Sequence, residues 1–265
     1  MAKPPEVAKK TPMTYTTSES SPDWSGLLAT IRKTLFVPIH PAGWPFIAVF
    51  AVVAALLSML WVPLGWVGLV LTLWCIFFFR NPLRTVPTRD GLVVSPACGR
   101  VVSVVTDQKL PPELDRASDA GPNFTRISIF LSVFDVHVNR VPIAGTVVQT
   151  AYRPGKFLNA AVDKASTDNE MSATLLRVND GKNEVDVAFV QIAGWVARRI
   201  VNNLLPEQVV KTGQHMGLIR FGSRIDVYVP ENVVPMVVVG QTAIEGETVL
   251  ADFKSKEKAR EGEVI

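Results

Sequence analysis

Residues 218–229 read Leu-Ile-Arg-Phe-Gly-Ser-Arg-Ile-Asp-Val-Tyr-Val, two runs of strand character, 218–221 and 224–229, joined through Gly222 and Ser223. Glycine accepts backbone dihedrals that other residues resist. A serine that follows one can therefore sit on a turn bent sharply enough for its hydroxyl to reach the carbonyl before it. That is the layout a chain needs to cut itself, but a Gly-Ser pair alone is usually an ordinary turn. The rest of the sequence has to give it weight.

Outward from that step the texture is the same. Short β-branched runs punctuated by Gly, Pro, Asn and Asp occur at 91–95, 100–106, 126–131, 136–141, 145–152, 185–192, 234–239 and 248–253. The spacing predicts a mainly β domain, a β-rich sandwich or barrel-like arrangement, over 85–265. A helix is expected around 195–204, a mobile loop at 109–122 with its paired prolines, and a frayed end after Phe253.

The N-terminal third is different. Residues 41–79 contain no charged side chain, and 46–79 are almost entirely apolar. One helix over 46–79 would reach about 50 Å at 1.5 Å per residue, well beyond a hydrocarbon core of roughly 30 Å. The stretch should fold back on itself, with Pro63, Leu64 and Gly65 as the break between 46–62 and 66–79. This predicts a membrane helical hairpin over 46–84, with Trp44, Trp61, Trp66 and Trp74 as interface anchors. Arg32 and Lys33 precede it and Arg80 and Arg84 follow it, which puts both termini, and the β domain, on the cytoplasmic side of the cell membrane. The run starts too late and is too long for a signal peptide. Ahead of it, 1–24 is rich in Pro, Ser, Thr and Lys and is expected to be disordered. Leu27, Leu28, Ile31 and Leu35 recur at helical spacing in an amphipathic, membrane-proximal segment, 25–45.

Charge and cysteine content narrow the function classes. Residues 1–84 hold seven Lys and Arg against three Asp and Glu, leaving 20 basic and 21 acidic residues in the β domain. The basic excess therefore lies beside the membrane, where it can attract an anionic leaflet. Scattered basic residues without a patch argue against nucleic acid as a partner. Cys75 and Cys98, one in the apolar stretch and one in the domain, do not make a disulfide framework. With three histidines far apart and no Cys/His cluster, a metal site is not expected.

Residues 135–140 read Asp-Val-His-Val-Asn-Arg. Alternation along a strand would place Asp135, His137 and Asn139 on one face and the two valines on the other. With the valines in the core, His137 would point toward solvent or a cleft. Its bland reading is a half-exposed strand histidine bonded to a neighbouring loop.

These tracts in order, a membrane hairpin, Ser95-Pro96-Ala97-Cys98-Gly99, residues 135–140 and then Phe221-Gly222-Ser223-Arg224, resemble the short membrane-associated bacterial phosphatidylserine decarboxylase proenzymes. Phe79-Arg80-Asn81-Pro82, Lys164-Ala165-Ser166 with Asn169-Glu170, and Gln191-Ile192-Ala193-Gly194 with Ala197-Arg198-Arg199 extend the resemblance across 39–253. It implies scission between Gly222 and Ser223, giving a β chain of residues 1–222 and an α chain of residues 223–265 that remain together as a heterodimer. Ser223 would become a covalent pyruvoyl group, the cofactor that forms a Schiff base with phosphatidylserine and draws electrons from its α-carbon as carbon dioxide leaves and phosphatidylethanolamine forms. His137 is the expected base for the Ser223 hydroxyl and a candidate proton donor in the decarboxylation.

The tract at Cys98 departs from the family, which usually carries Ser-Pro-Ala-Asp-Gly there, with the aspartate thought to orient the processing histidine. A neutral thiol would orient an imidazole poorly. Three readings follow: cleavage is slow, a Cys98 thiolate substitutes, or another carboxylate, Asp135 or Asp90, assists. Arg140, and Arg198 or Arg199, are candidate contacts for the lipid phosphate. His215 and His40 receive no role. The competing reading is a processing-deficient, membrane-tethered β-domain adaptor, which would run as one uncut species on a denaturing gel.

Overall fold

Alternation along Ser223–Pro230 (β11) builds the centre of the domain: Ile225, Val227 and Val229 enter one apolar core, while Tyr228 enters a second on the opposite face. The computed structural model describes residues 37–114, 122–155, 168–181, 183–194, 199–220 and 222–264. The expected tail 1–24 and most of the amphipathic segment lie outside them.

The described strands are β1 Leu92–Val94, β2 Gly99–Gln108, β3 Phe124–Leu131, β4 Val138–Arg140, β5 Gly145–Arg153, β6 Met171–Asn179, β7 Glu184–Ala193, β8 Ile200–Asn202, β9 Val209–Val210, β10 His215–Ile219, β11, β12 Thr242–Ala243 and β13 Val249–Asp252. Eight form a curled antiparallel sheet in the order β12-β2-β3-β11-β7-β6-β5-β9. The strands β4-β10-β8 make a second sheet, and β1 pairs with β13. The larger core lies between the two sheets, where Ile127, Ile129, Phe189 and Ile225 meet Val141, Met216 and Ile219 of the small sheet and its approach. The mainly β expectation holds.

Three expectations change. Residues 200–202 form β8 rather than helix, because pairing with β10 sends Val201 to the hairpin base and lets Asn202 Nδ2 donate to Ser172 and Thr174. Residues 195–198 are outside the described set. The run 234–239 makes only an isolated bridge at Pro235, which has no N–H to extend a ladder. The segment expected to be a mobile loop buries Leu110 and Leu114 over the second core, with 115–121 outside the described residues.

The hairpin forms, with α1 spanning Trp44–Leu60 and α2 spanning Val62–Phe78. Its break falls at Trp61, which is extended (φ −163°, ψ 124°), not at residues 63–65. Pro63 sits in the first turn of α2 instead, where a proline loses no intrahelical bond. The two helices approach through small residues: a Cβ added to Gly65 or Gly68 would lie 2.5 Å from Ser58 Cβ or 2.6 Å from Ala54 Cβ. The outer faces leave Val49, Val52, Leu56, Trp66 and Val70 exposed. The run Pro41–Leu60 is long and apolar enough to cross a membrane.

At the other end the hairpin joins the β domain. Ile47, Cys75, Phe78 and Phe79 pack with Leu218 of β10, and full burial of such a side chain contributes about 1.5–3 kcal/mol. The His40 N–H donates to the Phe79 carbonyl (2.8 Å) and the Asn81 N–H to the Pro38 carbonyl (2.7 Å), so both ends of the hairpin are tied together at its base.

Candidate active site

Ser223 begins β11 at the centre of the large sheet, opposite Leu131 of β3 and Ala193 of β7. Neighbours on both sides exclude water: Ser223 is fully buried and its Oγ has no hydrogen-bond partner among the described residues. Gly222 turns the chain with φ +66°, a left-handed conformation. A Cβ there would meet only Val133 Cγ1, at 3.9 Å, so the demand for glycine comes from torsion and not from crowding.

His137 lies under that turn. The Gly222 N–H donates to its Nε2 (3.3 Å), while its Nδ1 lies 3.0 Å from the Asp135 carbonyl oxygen. A carbonyl can only accept, so Nδ1 carries the proton and the Nε2 lone pair accepts the Gly222 N–H, one residue before Ser223. The ring is 1% exposed, against the expectation that it would face solvent or a cleft. The strand starts only at Val138, so alternation does not extend back to Asp135, and Val136 and His137 are both buried. Phe78, in the last turn of α2, covers the imidazole at 4.1 Å between ring centroids. Burial in this apolar wall pushes the His137 pKa down to about 4, despite opposing help from Asp135.

The carboxylates and the thiol occupy other places. The Asp135 carboxylate accepts from the Ser132 N–H (2.8 Å) and hydroxyl (2.7 Å), so this residue meets His137 through its main chain. Cys98 donates to Glu245, whose carboxylate is gripped by Arg84 Nε and Nη2 at 2.8 and 2.9 Å. Burial first and Glu245 second push the Cys98 pKa up to about 12, so it is a thiol at neutral pH and the thiolate reading falls. Asp90 is exposed at the turn before β1.

Arg140, a candidate phosphate contact, has its terminal nitrogens engaged inside the protein. Nη1 donates to the Gly213 carbonyl (3.2 Å), and Nη2 to Asn81 Oδ1 (3.2 Å) and the Pro82 carbonyl (3.1 Å). It therefore clamps the segment leaving α2 onto the domain. Arg198 is outside the described residues, as are Lys164, Ala165 and Ser166. His215 stacks on His40 at the hairpin base, with ring centroids 5.0 Å apart.

Sequence reasoning missed Phe78, Glu245 and Arg84. Phe78 sits in an apolar run where every neighbour looks alike, and the Arg84–Glu245 pair is separated by 161 residues. Among the described residues no cluster of three or more His, Cys, Asp or Glu is arranged to hold a metal.

The comparisons with known proteins agree with this architecture. The family model for phosphatidylserine decarboxylase matches residues 71–251. The chain is 54% identical over 235 residues to a phosphatidylserine decarboxylase proenzyme of Paramagnetospirillum magneticum, covering 89% of this chain and 95% of that protein. It is 53% identical over 230 residues to that of Cereibacter sphaeroides, with 87% and 96% covered. It is 51% identical over 224 residues to that of Ruegeria pomeroyi, with 84% and 99% covered. A match running from α2 to β13, and identities above one half with proteins spanned almost end to end, place the chain in the phosphatidylserine decarboxylase family.

Proposed function

We propose that Ser223 is the residue through which this decarboxylase proenzyme matures, and that His137 is the base that starts the reaction. The observation carrying the reading is the Nε2 lone pair held 3.3 Å from the amide of Gly222, one residue before a buried hydroxyl with no partner of its own. As Ser223 Oγ bonds to the Gly222 carbonyl carbon, His137 Nε2 exchanges the Gly222 N–H for the Ser223 hydroxyl and takes its proton. The Gly222–Ser223 C–N bond then breaks, the nitrogen takes a proton, and an ester joins the two residues. Removal of the Ser223 α-proton expels the Gly222 carboxylate from Cβ. Hydration releases ammonia and leaves the keto end of the α chain.

A site that fits a pyruvoyl group needs a serine with a free hydroxyl at a strand start after a flexible residue, and Ser223 meets that description. The group supplies the electron-withdrawing carbonyl that no standard side chain offers when phosphatidylserine loses carbon dioxide. His137, buried beside it, holds a proton position for the reacting carbon and excludes water together with Phe78. The main-chain carbonyl on Nδ1 fixes the tautomer but cannot offset a cationic ring as a carboxylate would. Slow maturation follows, which a reaction occurring once per chain tolerates.

The sheet supports a stable heterodimer after scission. The α chain, residues 223–265, contains β11, β12 and β13, and every one pairs with a strand of the β chain: β11 with β3 and β7, β12 with β2, β13 with β1. We read 46–84 as the membrane hairpin and 85–265 as the decarboxylase domain, facing the cytoplasm. Basic residues on both flanks of the hairpin support that orientation.

Two pH experiments test the base. The lowered pKa leaves the His137 lone pair available above about pH 4, so self-cleavage should be flat from about pH 6 upward and fall as acid protonates the ring near pH 4. An acid limb near 6.5, the ordinary histidine value, would contradict a buried base. Phe78→Ala uncovers the ring, lessens its desolvation, and should move the acid limb upward toward 6.5. An unmoved limb with a merely lower rate would give Phe78 a packing role alone.

A further inference from the structure

The sheet face beside Ser223 carries amides where a core should be apolar. Ser223 faces Ala193 and Ile225 faces Gln191, so Gln191 and Ser223 are diagonal neighbours on one face, roughly 7 Å apart. Asn139, two residues after His137, meets Gln191 from the small sheet. Both side chains are 0% exposed. Gln191 Nε2 donates to Asn139 Oδ1 at 2.8 Å. Two facing amides can pair reciprocally and satisfy each other, but here one bond is made, and among the described residues Asn139 Nδ2 and Gln191 Oε1 have no partner. Turning both amides over exchanges their roles and still leaves one donor and one acceptor. The nearby hydroxyls of Ser172 and Thr174 accept from Asn202, and beside them Asn139 Nδ2 and Gln191 Oε1 stay unpaired. Burying such groups without partners is costly, and a donor beside an acceptor calls for a ligand that offers both complements.

We infer that Asn139 and Gln191 form the recognition subsite for the α-amino-acid head of the substrate, the amide N–H donating to its carboxylate and the amide carbonyl accepting from its nitrogen. This rests on the reading of Ser223 as the maturation site, which brings the serine head to this end of the sheet. The product lacks the carboxylate and leaves the donor empty, which favours its release. The pair thus acts in substrate choice, while the Gly222 N–H bonds to His137 Nε2 and His137 Nδ1 to the Asp135 carbonyl.

The test uses the full-length membrane protein in detergent micelles containing phosphatidylserine. Gln191→Met should cut itself as fully as the wild type, raise KM about tenfold, the loss of one hydrogen bond to a charged group, and change kcat less than about threefold. Gln191→Glu keeps the acceptor but sets a negative charge against the carboxylate. Inhibition by glycerophosphoserine should weaken at least about tenfold, while that by glycerophosphoethanolamine should not weaken. Fully cut variants with wild-type KM and an unchanged inhibitor ratio would mean that water alone satisfies these amides, and the inference fails. Loss of scission in both variants would overturn it too, by assigning the pair to maturation. Absence of scission at Gly222–Ser223 in the wild type would instead overturn the reading beneath it.

Discussion

Ser223→Ala remains a single chain of 29.0 kDa and does not decarboxylate phosphatidylserine. The expected loss is at least about 10⁶-fold, the low end of what enzymes add to an uncatalysed rate, because no other residue can supply the ketone. The fold should not suffer. The Ser223 hydroxyl is buried without a partner, so removing it leaves no neighbour unsatisfied and restores no lost bond. Thermal unfolding of the variant should match or exceed that of an uncut wild-type chain. Denaturing electrophoresis with the decarboxylation assay reads the result, and appearance of the fragment 223–265 in this variant would move the scission site elsewhere.

His137→Gln should slow self-cleavage by about 10²–10⁴-fold, the usual contribution of a positioned general base. An amide of similar size can still accept from the Gly222 N–H but cannot take a proton from Ser223. Far-UV circular dichroism should show unchanged β structure, and the two fragments should accumulate slowly or not at all over hours. Cutting at the wild-type rate would remove His137 from the first step, and the 3.3 Å contact to Gly222 would then be structural only.

What could be read in the sequence was what local chemistry determines. The Gly222–Ser223 step is a torsional signal, and φ +66° at Gly222 is its physical content. The hairpin is compositional, so its existence was legible while its break was not: Pro63 and Gly65 look like the corner, yet proline fits the first turn of α2 and Gly65 serves helix contact against Ser58. β6 went unnoticed because Met171–Asn179 lies between β5 and β7 with both faces buried, which erases the polar–apolar alternation that marks an edge or surface strand. The proposed base, His137, was legible as a residue but not as an environment. Its burial comes from Phe78, nearly sixty residues earlier, and its tautomer from a main-chain carbonyl that every residue possesses. The same holds at Cys98, where the sequence showed a missing carboxylate and the structure shows a thiol bonded to Glu245, brought there by the fold.

Intact-mass measurement of freshly purified full-length protein tests the central claim most directly. Two species are expected, residues 1–222 and residues 223–265, the smaller one lighter by one ammonia than a chain beginning with an unmodified serine. A single unbroken polypeptide that still converts phosphatidylserine would contradict the account.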